Sequence, residues 1–164
     1  MPAPLLDPDR NGVDAPPPVQ RPLGPLNGQH AGTQAADRPC ILVAERDQQV
    51  RQLQRFFLER AGYAVEFADD GSAALERARI SRPVLVVTEI LLPKLDGLSL
   101  CRRLREDSTT ADIPVVVFSM LAAGARAGEA GARAFLRKPL IESVFLAAVR
   151  DALATQPSPS MEQQ

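Results

Sequence analysis

The chain has 164 residues, 45% apolar and 24% charged, with a formal net charge of −1. That length holds one ordinary domain with appendages but not two substantial cores. The charge balance offers no general attraction to nucleic acid or acidic membranes, and with no Trp and one Tyr a stacking platform for single strands is not expected. The expected partners are proteins, with neither nucleic acid nor membrane among them.

Residues 1–38 are rich in Pro, Gly, Gln and Asp, carry Pro16-Pro17-Pro18, and have little apolar periodicity. Such a segment cannot bury enough surface to offset its conformational entropy, so a disordered arm is expected. The tail Thr155–Gln164 reads the same way, which leaves 39–154 as the predicted domain. His30 lies in the arm without an Asp, Ser or Cys constellation that would give it catalytic work. The start MPAPLLDPDR has no basic stretch before an apolar run. No secretory signal is visible, and a cytoplasmic location is expected.

Within the domain, Cys40–Ala44 is a short apolar run of the kind a buried parallel strand shows. Asp47 is placed to cap a helix carrying Val50, Leu53, Phe56 and Phe57 on one face and ending near Gly62. Ala64–Ala68 reads as a second strand, and Asp70-Gly71 leads into a helix bearing Ala74, Leu75 and Ala78. Val84–Thr88 is the most apolar strand and is expected at the sheet centre. Past the loop 89–96, where Asp96 can serve as a cap, Leu98, Cys101 and Leu104 mark a third helix. Ile113–Ser119 and Ala134–Arg137 are the fourth and fifth strands, and Val144, Phe145, Ala148, Val149 and Leu153 mark the last helix. Cys40 and Cys101 fall in these apolar segments, which predicts free buried thiols rather than a disulfide or metal ligands.

Five short strands alternating with helices predict an α/β fold: a five-stranded parallel, doubly wound sheet covered on both faces. Sites on such sheets lie beyond the carboxyl ends of the strands, where Glu45, Arg46, Glu89, Ser119 and Lys138 fall.

The segments around those residues read ILVAERD, VVTEILLPKLDG, PVVVFSM and GARAFLRKP. In this order they resemble the receiver domain of two-component response regulators, over roughly residues 40–154, with its flavodoxin-like sheet. The resemblance implies a phosphoacceptor four residues before Pro93, a position held here by Glu89 instead of Asp. It also implies an acidic, Mg²⁺-binding pair at Glu45 and Arg46, a switch hydroxyl at Ser119 and a phosphate-contacting lysine at Lys138. A cis bond before Pro139 and an aromatic switch position at Phe135 complete the set.

Three departures from that family pattern point to a pseudo-receiver. Glu89 extends its carboxylate by one methylene, about 1.5 Å, in a reaction where positioning dominates. Arg46 replaces a metal ligand, so Glu45 and Glu89 would face Arg46 and Lys138 in a formally neutral pocket, and Arg46 is expected to turn inward in place of the metal charge. No Mg²⁺ or other cofactor is expected in such a pocket. Only eleven residues separate Ser119 from Gly131, fewer than is usual for the family, so the helix between them must be short.

Glu89 then has two readings. It can be a built-in negative charge that engages Lys138, Ser119 or Arg46 and holds one switch state, or a side chain that merely steadies its loop through Arg46 or Lys138. The favoured function is a non-enzymatic, stand-alone signalling module, since only ten residues follow Ala154. It would contact a sensor kinase, another regulator or an output protein through the last helix and the fourth- and fifth-strand face, which could also support a homodimer. The competing functions are a conventional Mg²⁺-dependent phosphoacceptor and an unrelated small-molecule-binding enzyme on the same type of sheet. Against the latter, AERDQQ after the first strand has no glycine-rich phosphate loop.

Overall fold

The computed structural model describes residues 37–155; positions 1–36 and 156–164, most of the arm and tail for which the sequence predicts disorder, lie outside the described residues. The elements run β1 (Cys40–Ala44), α1 (Gln48–Arg60), β2 (Ala64–Ala68), α2 (Gly71–Ser81), β3 (Leu85–Thr88), α3 (Gly97–Glu106), β4 (Val115–Ser119), α4 (Gly124–Glu129), β5 (Ala134–Arg137) and α5 (Glu142–Ala154). The five strands form one parallel sheet in the order β2-β1-β3-β4-β5. The most apolar strand, β3, is central, as parallel strands covered on both faces require.

Alternation along each strand divides the interior in two. Leu42, Ala44, Val86, Val115 and Val117 pack against α2, α3 and α4. Ile41, Val43, Leu85, Val87, Val116 and Phe118 pack against Leu58 of α1 and Phe145, Val149 and Ala152 of α5. The predicted caps are in place. Asp47 accepts from the N–H groups of Gln49 and Val50, Asp70 from Ala73, and Asp96 from Leu98 and Ser99. Gly62, at φ +98°, supplies the left-handed turn after α1.

The structure departs from the sequence reading in five places, one of them Cys40, expected to be buried but partly exposed at the start of β1. On α1 the covered stripe is Val50, Gln54, Phe57 and Leu58, while Leu53 and Phe56 are 41% and 53% exposed. The apolar letters suggested the wrong angle because Gln54, which is buried, broke the pattern. Val144 of α5 is also exposed. β4 begins at Val115 rather than Ile113, since the Ile113 N–H bonds the Thr110 carbonyl and Pro114 has no N–H to give. β3 starts one residue later than predicted. The helix after Ser119 has six residues, as its short span demands.

Candidate functional site

Register brings the polar residues together. Ala44 pairs with Thr88 across β1 and β3, so Glu45 and Glu89 leave adjacent strands side by side, with the Glu89 N–H bonded to the Ala44 carbonyl at 2.9 Å. Ser119 pairs with Arg137 across β4 and β5, and the Lys138 N–H bonds the Ser119 carbonyl at 3.0 Å. Four residues from four strands thus meet at one edge. The peptide between Lys138 and Pro139 is cis.

Glu89 is 6% exposed and its carboxylate is fully engaged. Oε1 accepts from the N–H groups of Ile90 (2.6 Å) and Leu91 (3.2 Å) and from the Ser119 hydroxyl, and Oε2 lies 2.9 Å from Lys138 Nζ. Lys138 also reaches Glu45 Oε2 at 2.8 Å, while Glu45 Oε1 accepts from the Asp47 N–H at 3.0 Å. One ammonium therefore bridges two buried carboxylates, with the Phe118 ring 5.5 Å away. Burial pushes the Glu89 carboxyl up, but the bonds from Ser119, Lys138 and Leu91 outweigh it and hold it below its ordinary value. Burial lowers Lys138, yet Glu45 and Glu89 more than compensate, so it sits above its ordinary value. Both partners of the pair are held in their charged forms.

Two glycines fix the loop that carries Glu89. A Cβ on Gly97 would stand 2.0 Å from the Glu89 carbonyl oxygen, and one on Gly71 would stand 1.8 Å from that of Leu95. The backbone approaches so closely there that no side chain fits. Lys94, at φ +66°, bonds Asp70 at 3.2 Å across the same gap.

Arg46 does not join the cluster. It is exposed, makes no ion pair among the described residues, and lines the rim of a cleft of about 400 Å³ with Glu45, Asp47, Leu91 and Lys138. The expectation that it turns inward fails because Lys138 and backbone amides already satisfy Glu45 and Glu89, leaving a buried guanidinium nothing to bond. The inner set is two carboxylates and one lysine, and the formally neutral pocket is not what forms. Phe135 also stands apart. It is half-buried on the α2–α4 side of the sheet, against the backbone of Gly124.

One residue that the sequence reading passed over matters here. Arg51 of α1 donates through Nε to the Glu45 carbonyl and through Nη2 to Asp69. Nothing in its periodicity marks it, since it sits among three other arginines between 46 and 60 and its stripe neighbour Val50 draws the attention.

A parallel β/α sheet whose carboxyl edge gathers two acids, a hydroxyl and a lysine is the arrangement that the resemblance to receiver domains implies. Residues 41–150 match the family described as response regulator receiver domain, and the chain belongs to that family. It is 38% identical over 121 residues to the transcriptional regulatory protein CseB of Streptomyces coelicolor, covering 72% of this chain and 50% of that one. With the DNA-binding dual master transcriptional regulator RpaA of Synechocystis it shares 37% over 118 residues, covering 70% and 49%. A solved receiver domain of a signal transduction histidine kinase from Syntrophus aciditrophicus superposes with a TM-score of 0.67 at 28% identity, covering 76% of this chain and 98% of that one.

The chain spans about half the length of the curated relatives it matches. The family assignment displaces the unrelated-enzyme alternative. The relatives also overturn the exclusion of nucleic acid. They are transcriptional regulators, one of them DNA-binding, and the net charge of a receiver says nothing about the half of such a protein that reads DNA. Among the described residues no helix is long and apolar enough to cross a membrane.

Proposed function

We propose that this receiver domain signals by protein–protein contact without phosphoryl chemistry and catalyses no reaction. One observation carries the reading: the Glu89 carboxylate already holds both Ser119 and Lys138, the two groups that the family resemblance assigns to a phosphoryl group. The mimicry is partial, since a carboxylate brings one charge against about −1.5 to −2 for a phosphoryl group.

The donor set does not suit Mg²⁺. A hard cation needs several free oxygens, yet every oxygen of Glu45 and Glu89 already has a donor, and the third acidic position is the exposed Arg46. Among the described residues no group of three His, Cys, Asp or Glu side chains is arranged to hold a metal.

The surface offered to a partner adjoins the cluster. Met120 and Leu121 directly follow Ser119, and Ile141 and Val144 follow the cis proline, all four exposed. The transcriptional relatives make a DNA-binding output protein the favoured partner, ahead of a kinase, another regulator or a second copy of this domain.

Incubation with acetyl phosphate and Mg²⁺, read by intact mass, tests the proposal. No adduct is expected, and a stoichiometric phosphoryl adduct would restore the conventional phosphoacceptor. The double variant Glu89→Asp, Arg46→Asp is expected to gain Mg²⁺ binding by calorimetry.

A further inference from the structure

Arg46 is the arginine next to the pocket in sequence, but Arg51 is the one that bonds the loop carrying Glu45. Its side chain is 16% exposed. The guanidinium spans two loops: Nε bonds the backbone carbonyl of Glu45 after β1, and Nη2 bonds the Asp69 carboxylate after β2 and lies 3.5 Å from the Ala68 carbonyl. Phe67 lies beneath it, with its ring centroid 5.6 Å from Cζ. Glu45 is buried, and its carbonyl accepts no other hydrogen bond among the described residues. Its carboxylate must meet Lys138 while its backbone turns out of the strand, so the peptide orientation decides where the carboxylate points.

We infer that Arg51 is the positioning residue of the pocket: it fastens the Glu45 carbonyl to Asp69 and so holds the Glu45 carboxylate on Lys138. The inference rests on the proposed metal-free cluster and names the group that organises it. A planar guanidinium can give one N–H to a carbonyl and another to a carboxylate while lying on an aromatic ring, which an ammonium cannot do. The chain therefore gathers the β1 and β2 loops with a side chain anchored in α1. Asp69, whose side chain is 80% exposed, is the outer end of the strap, and Glu45 is the inner end.

Lys94 and Lys138 are the only lysines in the chain, which makes the test clean. Full-length protein is labelled with limiting acetyl N-hydroxysuccinimide ester, and each lysine is followed by peptide mass spectrometry. Lys94, with a 70% exposed side chain, serves as the internal control. In the wild type Lys138 should react far more slowly than Lys94. Arg51→Met keeps the contact with Phe67 and removes the donors, and should speed Lys138 labelling about tenfold, the loss of roughly one charged hydrogen bond. Asp69→Asn, at an exposed position, should speed it about two- to threefold, as a weakened strap requires. If Lys138 reacts as fast as Lys94 in the wild type, the pocket reading fails and the inference falls with it. If Lys138 is protected and neither variant changes its rate, Arg51 is not the positioning residue and the pocket reading survives. Should Arg51→Met not fold, an unchanged rate in Asp69→Asn is sufficient to overturn the inference.

Discussion

Replacing Glu89 by Gln probes the cluster with least disturbance of shape. The amide oxygen can keep the bonds from Ile90, Leu91 and Ser119, but the amide NH₂ then faces Lys138 Nζ, donor against donor. What is lost is one charge-assisted hydrogen bond, worth about 1.5–3 kcal/mol. Relief from burying a carboxylate returns part of this, and Lys138 keeps Glu45 as a partner, so the full cost of a stranded buried charge, about 3–5 kcal/mol, does not arise. The net destabilisation should be about 2 kcal/mol. With a urea m-value of about 1.5 kcal/mol/M, the midpoint should fall by about 1.3 M, with m unchanged. Glu89→Ala, which also takes the acceptor from the Ile90 and Leu91 N–H groups and the Ser119 hydroxyl, should cost more. Urea unfolding followed by circular dichroism measures both. Were Glu89→Gln within about 0.5 kcal/mol of wild type, the range of an ordinary surface substitution, the cluster would not be holding the loop.

The same groups set a pH profile. Glu89 has a folded value below its ordinary 4.5, so its contribution is fully present above 4.5 and is lost as pH falls through the lower folded value. Lys138 has a folded value above its ordinary 10.5, so its contribution is present below 10.5 and is lost as pH rises through the higher folded value. Urea midpoints should be level from pH 4.5 to about 9, where ionisation of Cys101 in the unfolded chain begins to lower them because burial holds its folded value near 11. Glu89→Gln should make the acid limb shallower, leaving the part set by the capping aspartates and Asp107, and an unaltered acid limb would remove Glu89 as a source. Gly97→Ala forces a methyl against the Glu89 backbone and should cost about 2–3 kcal/mol in the same assay, whereas a neutral result would show that the loop yields. Burial pushes the Cys101 thiol up to about 11, so native protein at pH 8 should protect Cys101 from iodoacetamide until it is unfolded, with partly exposed Cys40 the faster of the two. Equal rates would contradict the packing of α3.

Several parts of this protein could be read from local chemistry. The strands announce themselves as short apolar runs, and Asp47, Asp70 and Asp96 mark helix starts because a short carboxylate caps free N–H groups wherever a helix follows. The α1 face could not be read this way. Its true stripe includes Gln54, and a polar residue in a covered position is invisible to a pattern built on apolar letters. Arg46 and Arg51 make the same point at the site. Adjacency along the chain suggested that Arg46 would serve the pocket, but successive side chains leaving a strand point in opposite directions, so Glu45 turns in and Arg46 turns out. Arg51 comes back from the first turns of the following helix and bonds the Glu45 carbonyl behind the pocket.

The sequence by itself determined the alternation of strands and helices, the acid at 89 in place of Asp, the hydroxyl at 119, the lysine before Pro139 and the short span that shrinks α4. Only the tertiary structure decided which charges meet. Lys138 reaches Glu45 across 93 positions because β1, β3, β4 and β5 lie parallel and end at one edge, a neighbourhood that no window along the chain contains. Once Lys138 satisfies both carboxylates there, no acceptor is left for Arg46, and water solvates it more favourably than the interior would.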